Sequence, residues 1–225
     1  MKIKLEKSLC RPANVAMMVV YDIGYSDTTT KILGYGFKNM VSYIKDGALI
    51  EFRALSELKG FKDTLDIVFA DEKRTNRILE DFKNDYSNMQ NCIKKSKDIP
   101  FESNAVISLI NSFCDSFKKA WAPTMLCQWF PLWVDKKELS DKDKNRVESL
   151  ISARHKRDMS FVFSVQFFDN IFILINKNIN GCGNLEVASP DEIKEIIQTK
   201  NCSEEIKAKL KERENGCVIF QKNVY

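Results

Sequence analysis

Residues 140–180, SDKDKNRVESLISARHKRDMSFVFSVQFFDNIFILINKNIN, decide the fold expected of this chain. Ser140 stands as an N-cap with Asp143 three residues on. Val147, Leu150, Ile151, Arg154, Asp158, Phe161, Val162, Val165, Phe168, Phe172, Ile175 and Ile179 then follow at helical spacing. From Met159 onward apolar residues fall on almost every side. A helix that is apolar all round needs neighbours all round, so the segment predicts the spine of a helical domain.

The composition around that spine fits a globular protein. The 225 residues can bury a substantial core, 44% of them are hydrophobic and 29% charged, and eight Gly and five Pro leave room for long helices. The 35 basic and 31 acidic residues are interleaved, which predicts a mixed surface and argues against nucleic acid as the main partner. Seven cysteines stand at 10, 92, 114, 127, 182, 202 and 217, an odd number without Cys-x-x-Cys spacing, and the sole histidine is His155. Neither a disulfide framework nor a zinc site is signalled, no cofactor is implied, and a reducing cytoplasm is the expected location.

Two segments raise the membrane question. The N-terminus, MKIKLEKSLCRPANVAMMVV, has a short apolar run without a small-residue cleavage pattern behind it, so no signal peptide is expected. Residues 159–175 are nearly continuous apolar sequence, but Gln166, Asp169 and Asn170 lie inside and would be costly in lipid. A buried core helix is the expectation, with no membrane partner.

In chain order, Val15 to Ile23 predicts a first helix, and Gly24 to Gly36 a loop. Gly34-Tyr35-Gly36 is followed by Asn39 where a dinucleotide fingerprint needs its third glycine, so it predicts a turn and not a phosphate cradle. Residues 40–53, MVSYIKDGALIEFR, carry Asp46-Gly47 between two runs of β-formers, the signal of a type I′ hairpin. Counting from the turn pairs Lys45 with Ala48, Ile44 with Leu49, Tyr43 with Ile50, Ser42 with Glu51 and Val41 with Phe52. Val41, Tyr43, Ile50 and Phe52 then share a face expected to cover a helix or another strand.

Residues 55–96 predict an amphipathic helix, broken near Gly60, with Thr75, Ile78, Phe82, Tyr86, Met89 and Ile93 inward. Ser103 is the expected cap of a further helix. In the segment 121–133, WAPTMLCQWFPLW, Pro123 and Pro131 predict a kink or a departure from helix. Its Trp121, Trp129 and Trp133 leave two readings open, an aromatic-lined ligand or partner pocket and a core helix. Arg154 and Arg157, one turn apart with Asp158 on the same face, are candidates either for gripping a small anionic ligand or for pairing with carboxylates. His155 has no partner assignable by spacing.

After the spine, Ser189-Pro190-Asp191-Glu192 is a complete capping box for a helix, Asn201 with Glu204 is expected to repeat the device, and Gly216 ends the second helix. Cys217 to Phe220 predicts a short strand that pairs with Leu185 to Val187. The order of a long helix with Arg-x-x-Arg, an "Asn-Leu-Glu-Val" strand, a "Ser-Pro-Asp-Glu-Ile" helix and a "Lys-Glu-Arg" helix resembles the helical linking region of phosphoenolpyruvate-utilising enzymes such as pyruvate-water dikinase. Lys7-Ser8-Leu9-Cys10-Arg11-Pro12 and Leu55-Ser56-Glu57-Leu58 extend the likeness to nearly the whole chain.

In that family the region joins an ATP-grasp part to a swivelling phosphohistidine domain. The phosphohistidine motif is absent here, since His155 sits between Arg154 and Lys156 in a helix, and the ATP-grasp and phosphoenolpyruvate-handling parts have no counterpart. The resemblance therefore implies a non-catalytic module without catalytic or metal-binding residues, partnered by ATP-grasp or phosphohistidine-domain proteins. Its alternatives are the substrate-binding domain of a phosphotransferase, as in the related rifampicin phosphotransferases, and an unrelated helical interaction protein. The expected fold is mainly α, a bundle around a long central helix with one β-hairpin and a small C-terminal α/β element. It forms a single domain over 1–225, with 1–54 as helix and hairpin, 55–180 as helical core and 181–225 as the C-terminal element.

Overall fold

The structure, a computed structural model, describes residues 5–135 and 137–225, without the side chains of residues 5, 6, 8–11 and 155–158. The fold is mainly α, with one small antiparallel sheet. Strand β1 (Leu5–Pro12) leads into helix α1 (Val15–Ile23), which continues through a π-helical turn (Gly24–Thr28) into α2 (Thr29–Leu33). The hairpin strands β2 (Met40–Lys45) and β3 (Ala48–Ala54) come next. Helices α3 (Leu58–Ala70), α4 (Glu72–Ser96), α5 (Ser103–Lys119), α6 (Trp121–Trp133) and α7 (Asp141–Asn178) build the body. Helices α8 (Pro190–Thr199) and α9 (Glu204–Arg213) and strands β4 (Cys217–Phe220) and β5 (Asn223–Val224) close the chain. The strand order is β1-β3-β2-β4-β5.

The spine forms as its sequence dictates. The Ser140 side chain accepts the backbone N–H of Asp143, and the helix runs unbroken for 38 residues against α4 and α6. Phe161, Phe167, Phe168, Ile171 and Ile175 are buried, and Phe167 stacks on Phe113 of α5 with ring centroids 4.0 Å apart. One flank is not wrapped: Val162 is 42% and Ile173 53% exposed. By length and composition alone α7 could cross a membrane, and 53% of its apolar window is buried inside the molecule. A single apolar cluster extends from Ala13 to Ile219.

The hairpin adopts the register counted from its turn, Tyr43 opposite Ile50 and Val41 opposite Phe52. Asp46 and Gly47 both take the left-handed backbone that a type I′ turn needs, with φ of 51° and 69°.

Elsewhere tertiary context overrides local signals. The break expected at Gly60 falls at Asp71, whose side chain accepts the N–H of Arg74 and caps α4. Gly60 stays helical, and its missing side chain lets Tyr35 pack close, 3.0 Å from where a Cβ would stand. The loop expected over 24–36 is helical as far as Leu33, where Gly34 ends it at φ 91°. The proline-rich 121–133 remains helix: Pro123 lies in the first turn, where the missing N–H has no intrahelical partner to lose, and Pro131 lies in the last.

Leu185–Val187 is a 3₁₀ turn, not a strand, because Asn184 accepts the N–H of Glu186 and curls the chain. Cys217–Phe220 consequently pairs with β2. Ser203, not Asn201, caps α9 by accepting from Ile206, and Glu102 occupies the N-cap position expected of Ser103, whose hydroxyl donates to Ile197 O instead.

Candidate functional site

The sheet is mounted with its polar pattern inward. Met40, Ser42 and Ile44 of β2 and Leu49, Glu51 and Arg53 of β3 are buried toward the helices. Val41, Tyr43, Ile50 and Phe52, the face expected to cover a helix, point the other way and remain half-buried. They lie outside the main apolar cluster and its packed periphery. Strand β4 extends this outer face, since Phe220 pairs with Val41 and Val218 with Tyr43, and both are half-buried. Lys7, opposite Phe52, and Lys45 stand exposed at its margins. The outcome is a three-strand apolar surface rimmed by two lysines.

The inversion has its cause beneath the sheet. Arg53 Nε donates to Glu51, two residues away on the same face of β3, and Arg53 Nη2 donates to Tyr21 Oη at 3.0 Å. The guanidinium also lies over the rings of Tyr25 at 4.6 Å, Phe37 at 5.4 Å and Trp129 at 5.9 Å, so aromatic faces replace the water that the cation gives up. Burial raises the Tyr21 hydroxyl well above its usual range, and the Glu51 carboxylate adds to the effect. Burial opposes the Arg53 charge, but Glu51 together with Tyr25 and Tyr21 outweighs it and keeps the guanidinium pKa above its usual range. Glu51 and Arg53 side chains are 0% and 10% exposed. Both charged side chains of this node are thus enclosed in the core between the sheet and α1.

The sequence candidates separate in space. Trp121 is buried among Tyr21, Tyr25, Phe117 and Phe161 with ring centroids 4.5–5.3 Å apart, which makes it core. Trp129 and Trp133 are half-buried and pack on each other at 5.0 Å, and Trp129 reaches the Arg53 node. Arg154 is exposed on α7, while the side chains of Arg157, His155 and Asp158 lie outside the described residues.

An open cleft of about 480 Å³ separates α2 and its preceding π turn from α4 and the α5–α6 junction. Ile32, Ile78 and Phe82 give it apolar walls, and Lys31, Asp85 and Lys119 line it with both signs of charge. Burial raises the Asp85 carboxyl above its ordinary value. The π turn is held by hydroxyls that reach back to carbonyls, Thr29 Oγ1 to Gly24 O at 2.7 Å and Ser26 Oγ to Asp22 O at 2.8 Å. π turns recur at functional sites in helical proteins. Nothing in the residue pattern of 24–33 announces one. Among the described residues no group of three or more His, Cys, Asp or Glu is placed to hold a metal ion.

No family model, curated protein or solved structure matches this chain.

Proposed function

We propose that this chain is a non-catalytic helical module that docks onto a separate partner through the outer face of its sheet. The observation that carries the reading is the outward apolar surface of Val41, Tyr43, Ile50, Phe52, Val218 and Phe220. Apolar patches rimmed by charge are a common form of protein contact. The described outward positions include Lys7 and Lys45 and no acid, so a second copy would bring lysines to lysines. A partner with an apolar face edged by carboxylates complements the surface in both respects. The resemblance to the linking region of phosphoenolpyruvate-utilising enzymes suggests ATP-grasp or phosphohistidine-domain chains of the cytoplasm as that partner.

The test is titration calorimetry of the purified chain with ATP-grasp and phosphohistidine-domain proteins encoded beside it. Saturable binding that weakens with salt and is lost in Tyr43→Asp with Phe52→Asp is expected. A chain that is dimeric by ultracentrifugation and becomes monomeric in that variant would overturn the choice of partner.

The cleft of about 480 Å³ favours a second reading, the substrate-binding domain of a phosphotransferase, since its size suits a small molecule. Lys31 would face the anionic part of such a ligand, whereas Lys119 is held by Asp115 at 2.6 Å. Thermal stabilisation by a phosphate-bearing compound, abolished in Lys31→Gln, would support this reading over docking.

A further inference from the structure

Cys182 follows the spine in a loop between Gly181 and Gly183, and Cys202 lies 20 residues later in the turn between α8 and α9. Both are buried and free, at 1% and 2% exposure. The fold brings the two residues together: the Cys202 thiol donates to the carbonyl oxygen of Cys182, with its Sγ at 3.9 Å. The two flanking glycines hold φ of 74° and 77°, with open space within 4 Å of where a Cβ would stand. No neighbouring atom crowds either glycine, so the chain on both sides of Cys182 is not held by packing at those two positions. A cleft of about 300 Å³, lined by Gly181, Cys182, Gly183, Lys207 and Lys211, borders the first of the two residues.

We propose that Cys182 and Cys202 are a reversible disulfide pair, oxidised by low-molecular-weight disulfides and serving to lock the loop after the spine to the α8–α9 turn. The exchange balances in two steps. The Cys182 thiol loses its proton to solvent, and its sulfur attacks one sulfur of the small disulfide RSSR and releases RS⁻. The Cys202 thiolate then attacks the Cys182 sulfur of the mixed disulfide and expels the second RS⁻. Both thiolates leave as RSH after taking up the two protons, so one small disulfide is reduced and one protein disulfide is formed.

Cys182 initiates because the cleft borders it. Burial raises its thiol to about 11, and the Cys202 sulfur adds to this, so thiolate is scarce at neutral pH. The pair is thus a slow device whose rate rises with pH, unlike a low-pKa catalytic dithiol. Closing a 20-residue loop removes freedom from the unfolded chain and raises the melting temperature. The inference is independent of the docking surface.

The full chain would be incubated with glutathione disulfide between pH 7 and 9, its free thiols alkylated, and its peptides mapped by mass spectrometry. A Cys182–Cys202 cross-link is expected, forming faster as pH rises, raising the melting temperature by about 6 °C and reversed by dithiothreitol. Cys202→Ala should stop at a glutathione adduct on Cys182. Because the cross-link is read on the unaltered protein, poor folding of that variant does not obscure the result. Glutathione adducts on either residue of the unaltered protein without the cross-link, or both thiols still reduced after prolonged exposure at pH 9, would overturn the proposal. So would a cross-link that forms equally well in urea.

Discussion

Arg213 holds Glu192 through two hydrogen bonds, Nη1 to Oε2 at 2.6 Å and Nη2 to Oε1 at 3.0 Å, and so fastens the end of α9 to the capping box of α8. The same carboxylate accepts the backbone N–H of Ser189 at 2.8 Å, and both partners of the pair are largely buried. Burial alone would raise the Glu192 carboxyl, but the Arg213 and Ser189 hydrogen bonds outweigh it and hold it below the usual range.

Arg213→Ala leaves that carboxylate largely buried with only its cap bonds. A loss of about 2–4 kcal/mol is expected. Because the folded-state value is depressed, the contribution is present above the unfolded value of 4.5 and is lost as pH falls through the folded one. Melting curves between pH 3 and 7 should show the gap between the two proteins narrowing at the acid end. An unchanged gap at pH 3 would mean that Arg213 acts through packing alone.

Asp22 gives the opposite sign. Its carboxylate accepts the N–H of Lys222 at 2.8 Å, supporting the tight turn between β4 and β5, yet burial raises its pKa to about 6 against an ordinary 3.8. Stability from the protonated form is complete below the unfolded value and declines as pH rises through about 6. Asp22→Asn keeps the acceptor and removes the charge. It should stabilise the protein at pH 7 by about 1–3 kcal/mol and have little effect at pH 4, as read from urea unfolding at the two pH values. A destabilised variant at pH 7 would show that the Lys222 contact needs the charge.

Gly24 opens the π turn against Trp121. A Cβ there would stand 2.3 Å from Trp121 Cδ1 and 3.1 Å from the Lys118 carbonyl oxygen. Gly24→Ala should therefore cost about 1–3 kcal/mol although alanine is the better helix former. Tryptophan fluorescence during thermal unfolding reports the loss, and an unchanged midpoint would mean that α6 moves aside freely.

The Arg53 node couples the sheet to α1. Arg53→Met removes the cation while Glu51 stays buried, with an expected cost of about 3 kcal/mol. Glu51→Gln with Arg53→Met should cost less than the sum of the single changes by about 1–3 kcal/mol, a coupling measurable in a double-mutant cycle. Additive losses would show that Glu51 draws its support from elsewhere.

Much of the local structure was legible in the sequence because it depends on neighbours in the chain. The Ser140 cap, the Ser189–Glu192 capping box and the Asp46-Gly47 hairpin each follow from side chains a few residues apart satisfying backbone groups, and the hairpin fixed its own register. The apolar stripe of α4, with Ile78, Phe82, Met89 and Ile93 buried, followed in the same way from helical period.

What only the tertiary structure decided is which way these pieces face and what meets across them. Alternation placed Val41, Tyr43, Ile50 and Phe52 on one side of the hairpin and predicted that side as the buried one. The fold buries Ser42, Glu51 and Arg53 instead, because Tyr21, Tyr25, Phe37 and Trp129, distant in the chain, supply hydrogen bonds and aromatic faces that make an inward ion pair tolerable. The meeting of Cys182 with Cys202 and of Gly24 with Trp121 is set in the same way, by packing between segments that no spacing relates. Period and capping are properties of one segment, whereas burial is a property of the surface that other segments present to it.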